Sequence, residues 1–147
     1  MNRISILDRQ FQLNGSLPED IRSLAFIGDA VCHLFVRQLL VGAGGHGKGL
    51  PQTAAGHASA SRQAKAADIL LPLLTEVEAD ILRRGRNAKC GAVPRNCDPV
   101  DYRKATGFEA LMGWLYINGK RERLEELLTK SYSDDVGAPT GRPLQEK

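Results

Sequence analysis

The sequence predicts an all-α domain, a compact bundle of five or more helices. Leu and Ala dominate the apolar residues, and aromatics make up only 5% of the chain, a balance that favours helix over a β-sandwich. Apolar residues recur at spacings of three and four in several separate stretches, the period of a helix with one face inward. Capping residues and Asn-Gly or Pro breaks punctuate those stretches where helices would start and stop.

Ser16-Leu17-Pro18-Glu19 has the form of a helix start, with a capping Ser and a Pro in the first turn. The helix that follows is expected to reach about Leu40. Ile21, Leu24, Gly28, Val31, Cys32, Phe35 and Leu39 share one face, while Phe26, Ile27, Ala30 and Leu34 make the opposite face apolar too. A helix apolar on both sides is either central in its domain or part of a subunit interface. Gly42 to Gly49 is a glycine-rich break. An alanine-rich helix is expected over 52–71, kinked or ended by Pro72. Thr75-Glu76-Val77-Glu78 is a capping box for a helix that stops near Gly85. Residues 86–98, with Gly91, Pro94 and Asn96, read as a loop. The next helix covers 100–117 with Phe108, Leu111, Met112 and Leu115 on one stripe, and Asn118-Gly119 ends it. A last helix covers 121–130. The expected organisation is one domain, 1–131, followed by a polar, Gly/Pro-rich tail, 132–147, without fixed structure. Trp114 reads as core.

With 147 residues the chain is long enough for one self-sufficient core. Its 20 basic and 17 acidic residues leave a formal charge of only +3, so distribution matters more than the total. Arg83, Arg84, Arg86, Lys89, Arg95, Arg103 and Lys104 crowd one stretch that holds only Asp98 and Asp101 as acids. Such a local excess suits a phosphate-binding surface, or else a solvated loop. Cys32, Cys90 and Cys97 are an odd set with no apolar leader before them, which points to a reducing compartment, the cytoplasm. No run approaches about 18 apolar residues, so no membrane span is expected.

Two carboxylates sit in apolar company. Asp29 lies in Phe26-Ile27-Gly28-Asp29-Ala30-Val31 and Glu109 in Gly107-Phe108-Glu109-Ala110-Leu111. A buried carboxylate must shift its pKa or find a cation. Either the two converge on a divalent metal, for which carboxylates plus waters suit Mg²⁺, or each pairs with an arginine such as Arg22, Arg37 or Arg103.

Leu24-Ala25-Phe26-Ile27-Gly28-Asp29-Ala30-Val31 resembles the signature of the ribonuclease III family. Ala105-Thr106-Gly107-Phe108-Glu109-Ala110-Leu111-Met112-Gly113 resembles that family's second acidic motif. Leu82-Arg83-Arg84-Gly85-Arg86-Asn87-Ala88-Lys89 between them resembles the hallmark of its Mini-III branch, which has no separate double-stranded-RNA-binding domain. The resemblance covers about residues 20–130. It implies a ribonuclease III-like fold, a homodimer, and Mg²⁺-dependent cutting of double-stranded RNA to 5′-phosphate and 3′-hydroxyl ends, with Mn²⁺ able to substitute. It further implies ribosomal RNA precursors as substrate. Asp29 and Glu109 would then be the catalytic metal ligands. Arg83, Arg84, Arg86, Asn87, Lys89 and Arg103 would be the RNA contacts. Ala25 and Thr106 stand where the larger family carries two further acids, and Leu50-Pro51-Gln52-Thr53 lacks the basic residues expected there. The class kept beside this one is a basic helical module that binds structured RNA without cutting it.

Other signals are weaker. Gly42 to Gly49 matches GxGxxG and nearly a P-loop, but Gly49 stands where Ser or Thr would bind Mg²⁺, Pro51 would interrupt the next helix, and no βαβ context surrounds it. No nucleotide cofactor is expected. Asp29 and His33 are i, i+4, a spacing metal sites use, yet Mg²⁺ prefers oxygen. Cys90 and Cys97 lack the spacing of a zinc knuckle.

Overall fold

The computed structural model describes residues 20–88 and 92–133, and every regular element among them is helical. In chain order the α-helices are α1 (Ile21–Gly42), α2 (Leu50–His57), α3 (Ala60–Leu70), α4 (Glu76–Asn87), α5 (Pro99–Ile117) and α6 (Arg121–Tyr132), with a 3₁₀ turn at Leu71–Leu73. Residues 16–19, Lys89, Cys90, Gly91 and the expected tail beyond Ser133 lie outside the described residues.

The helix starts follow local chemistry. Asp20 caps α1, its side chain accepting from the Arg22 amide. Thr75 and Glu78 form the capping box that the sequence announces. Asp98 accepts from the amides of Val100 and Asp101, and Pro99 occupies the first position of α5. Gly119, at φ +68°, takes the left-handed turn that ends α5.

Several boundaries differ from the sequence reading. The alanine-rich stretch is two helices, because Ser59 caps a new one: its hydroxyl donates to Gly56 O and accepts from the Arg62 amide. Pro51 sits in the first turn of α2, where a missing N–H does no harm, so it opens that helix rather than interrupting it. α4 runs through Gly85 to Asn87, so Arg86 and Asn87 are helical, not loop. α6 continues past Lys130 to Tyr132, whose ring is buried against Phe35 and Phe108.

α5 is the central helix. Ala105, Gly107, Phe108, Ala110, Leu111, Met112, Gly113 and Leu115 are all buried, residues that go right round its circumference, and α1, α3 and α4 pack against it. Trp114 is only partly buried, with the Lys120 ammonium 4.9 Å above its ring. α1 turns Leu24, Gly28, Cys32 and Val36 inward, but its other side stays open: Phe26 is 82% exposed, Leu34 59% and Val41 61%. By length and composition α1 is apolar enough to cross a membrane. Arg22, Asp29 and Arg37 interrupt its apolar run. Its inner face is nonetheless packed on α5.

Candidate active site

The crossing of α1 and α5 depends on glycine. A Cβ on Gly28 would fall 1.7 Å from the Glu109 carbonyl oxygen and 2.9 Å from the Gly113 amide nitrogen. A Cβ on Gly113 would fall 1.9 Å from the Leu24 carbonyl oxygen. Only two bare backbones can meet this closely. The contact therefore sets Asp29, the residue after Gly28, beside Glu109.

Glu109 is mostly buried, and no cation lies within ion-pair distance of it among the described residues. Burial first, and the charge of Asp29 second, push its carboxyl from the ordinary 4.5 up to about 8. Beneath the pair lies Cys32, fully buried, whose thiol is held well above its usual range by burial, then by Glu109 and Asp29. Asp29 is more open, and His33 Nε2 lies 3.2 Å from its Oδ1. Neither acid pairs with Arg22, Arg37 or Arg103, and among the described residues no arginine stands in ion-pair contact with either. Among the described residues, Glu109 is a largely buried carboxylate coupled to a second carboxylate and to no cation of its own, so it is short of positive charge. Two carboxylates, with waters completing the shell, are a donor set Mg²⁺ accepts. Ala25 is buried one turn before Asp29, and the Thr106 hydroxyl near Glu109 donates to Tyr102 O, so no third acid joins them among the described residues.

A second glycine contact places the basic residues. A Cβ on Gly85 would meet Gly107 Cα at 2.7 Å, and one on Gly107 would meet Leu82 O at 2.5 Å. Gly85 therefore serves close packing of α4 on α5 and does not end α4. Arg84, Arg86 and Asn87 are exposed at the end of α4, and Arg103 is exposed one turn before Gly107 on α5. From Arg103 to Glu109 is six residues, about 9 Å along the helix axis. Arg84, Arg86 and Arg103 have no acidic partner among the described residues. Arg83 does pair with Asp80, and Lys104 with Asp68 at 3.0 Å, so the basic excess is smaller than the local sequence suggests. Lys89 lies outside the described residues. In the glycine-rich segment, Gly44 and Gly47 take positive φ, and no strand accompanies it among the described residues.

The Ribonuclease III domain model matches residues 22–120, a span that contains both acidic helices and the basic end of α4. The chain belongs to the ribonuclease III family. Relatives named Mini-ribonuclease 3 place it in that branch. One from Symbiobacterium thermophilum is 45% identical over 107 residues, covering 72% of this chain and 82% of the relative. Another, from Desulfitobacterium hafniense, is 43% identical over 130 residues, covering 85% and 82%. A third, from Gloeobacter violaceus, is 46% identical over 108 residues, covering 74% and 78%. These relatives are short, as a Mini-III member without an added RNA-binding domain should be. A crystal structure of a protein from Fusobacterium nucleatum superposes with a TM-score of 0.74 over 81% of this chain and 92% of that one; at 24% identity it speaks for the fold. The Mini-III chain described here is thus an endoribonuclease with a ribonuclease III-like helical fold.

Proposed function

We propose that this endoribonuclease hydrolyses double-stranded RNA with Mg²⁺, leaving 5′-phosphate and 3′-hydroxyl ends, and that Asp29 and Glu109 are its catalytic metal ligands. The observation that carries this is the Glu109 carboxylate, set against Asp29 by the Gly28 contact with no cation paired to it among the described residues. An ion bound there would lower the pKa of a coordinated water and offset charge on phosphate oxygens; Mn²⁺ could substitute. Hydrolysis adds water across the P–O3′ bond, so the phosphate stays on the 5′ end of the downstream fragment.

Arg84, Arg86 and Arg103 would hold backbone phosphates, and Asn87 would reach 2′-hydroxyls or base edges. Duplex RNA is read mainly through backbone and minor groove, so these contacts give grip more than sequence choice. Arg83, tied to Asp80, would contribute less, and Lys89 is a further RNA contact that the family resemblance implies. The two strands of a duplex call for two sites. A two-fold homodimer through the exposed α1 face, Phe26, Leu34 and Val41, would supply them and cover that apolar surface. The free thiols of Cys32 and Cys97 suit work in the cytoplasm, where ribosomal RNA precursors are the substrates that the family resemblance implies.

The test is purified protein with a long end-labelled RNA duplex, in Mg²⁺ or in EDTA. Cleavage in Mg²⁺ to fragments with ligatable 5′-phosphates supports the reading. Equal cutting in EDTA, or cyclic phosphate ends, contradicts it.

A further inference from the structure

His33 stands one helical turn after Asp29, with Nε2 3.2 Å from Asp29 Oδ1. We infer that His33 is a positioning residue: its ring, set against Oδ1, restrains the Asp29 carboxylate as a ligand for the ion that Asp29 and Glu109 would hold. This rests on the metal-ligand reading above.

Three features carry it. Asp29 is the freer of the two acids, its side chain 53% exposed, whereas Glu109 is the more buried. A two-torsion carboxylate on an open helix face turns readily, and a mobile ligand binds weakly. Secondly, His33 is the one charged or polar side chain placed to restrain it among the described residues, since no Arg or Lys pairs with Asp29. Thirdly, a carboxylate oxygen only accepts. A ring nitrogen turned to that oxygen as an N–H donor is not free to ligate a metal. His33 thus acts through Asp29. An outer partner that fixes a ligating carboxylate commonly changes metal affinity by 10-fold or more.

The test uses the full chain without RNA, titrated with Mn²⁺ and followed by electron paramagnetic resonance of the free ion, beside thermal melts in EDTA. Four proteins are compared: wild type, Asp29→Asn, His33→Ala and His33→Gln. Asp29→Asn tests the underlying reading: if wild type takes up no Mn²⁺ in an Asp29-dependent manner, the metal site and this inference fall together. Given such binding, His33→Ala should weaken Mn²⁺ affinity about 10-fold, with its melt in EDTA unchanged. His33→Gln keeps an N–H donor and should recover most of the loss. Wild-type Mn²⁺ affinity in His33→Ala, or equal losses in the Ala and Gln variants, overturns the positioning role and leaves the Asp29–Glu109 site standing.

Discussion

Replacing Gly28 by alanine puts one methyl group into the tightest point of the fold. In a free helix that change is favourable by up to about 1 kcal/mol, because alanine loses less backbone entropy. Here the new Cβ would lie 1.7 Å from the Glu109 carbonyl oxygen. An ordinary contact begins at 3.4 Å, so α1 and α5 must part by roughly 1.7 Å, and backbone has no rotamer by which to escape. Parting them loosens Leu24, Cys32 and Val36 from Phe108 and Leu111. Overpacking commonly costs about 1–3 kcal/mol; a backbone clash belongs at the upper end or beyond, so a drop of about 10 °C in melting temperature is expected. Asp29 moves away from Glu109 at the same time, so cleavage should fall more than folding does. Gly56→Ala is the control, since a Cβ there meets nothing within 4 Å, and it should melt at or slightly above wild type. Circular dichroism melts and duplex cleavage on both variants decide the matter. If Gly28→Ala melts like Gly56→Ala, the close crossing that seats the two acids is wrong.

Three further outcomes are expected. Glu109 has its carboxyl raised from 4.5 to about 8, so the stability linked to its proton is full below about pH 4.5 and is lost as pH rises through about 8. Glu109→Gln cannot ionise: without divalent metal its melting advantage over wild type should widen from pH 5 to pH 9, by about 1–3 kcal/mol once side-chain turning towards solvent is allowed for, and a gap independent of pH contradicts this. Changing Arg84 and Arg86 together to Ala should leave the melt within about 2 °C of wild type, because both are exposed, but weaken duplex binding and reduce its slope against log salt by about 1–2; an unchanged slope removes the end of α4 from the RNA surface. Phe26→Asp places a charge on the open face of α1 and should convert a dimer at tens of micromolar protein to monomer by light scattering, whereas a wild type that is already monomeric and active contradicts the dimer.

The helical character of the chain was legible throughout, because capping boxes, prolines and a 3.6-residue period are local signals. The meeting of Asp29 and Glu109 was legible too, since acids are rare inside apolar runs. What made that meeting geometrically possible was harder to read. Gly28 and Gly113 look like weak helix residues, and Gly85 looks like a stop; only the partner helix shows that each fills a contact where a methyl group would collide. Which helix lies at the centre of the bundle was left open for a related reason. α1 carries more large apolar side chains, but α5 has small residues between its large ones and can be surrounded, so α5 is the core and the outer side of α1 stays exposed. Long-range ion pairs left no local trace. Glu78 reads as a cap, yet it is also the buried partner of Arg123, 2.7 Å away, and Arg123 reaches on to Leu73 O, tying α6 to the turn before α4. Likewise Asp80 and Asp68 neutralise Arg83 and Lys104 from outside the window in which the basic cluster was counted.

The central claim is that Asp29 and Glu109 act as one unit on a shared metal ion. Duplex cleavage by Asp29→Asn, Glu109→Gln and the double variant, each shown by its melt to be folded, tests that claim most directly. A shared ion predicts that each single change abolishes nearly all cutting, that the double variant is scarcely slower than either, and that none melts earlier than wild type. Independent structural roles predict the reverse: early melting, cutting near the wild-type rate in whatever remains folded, and losses that multiply in the double variant.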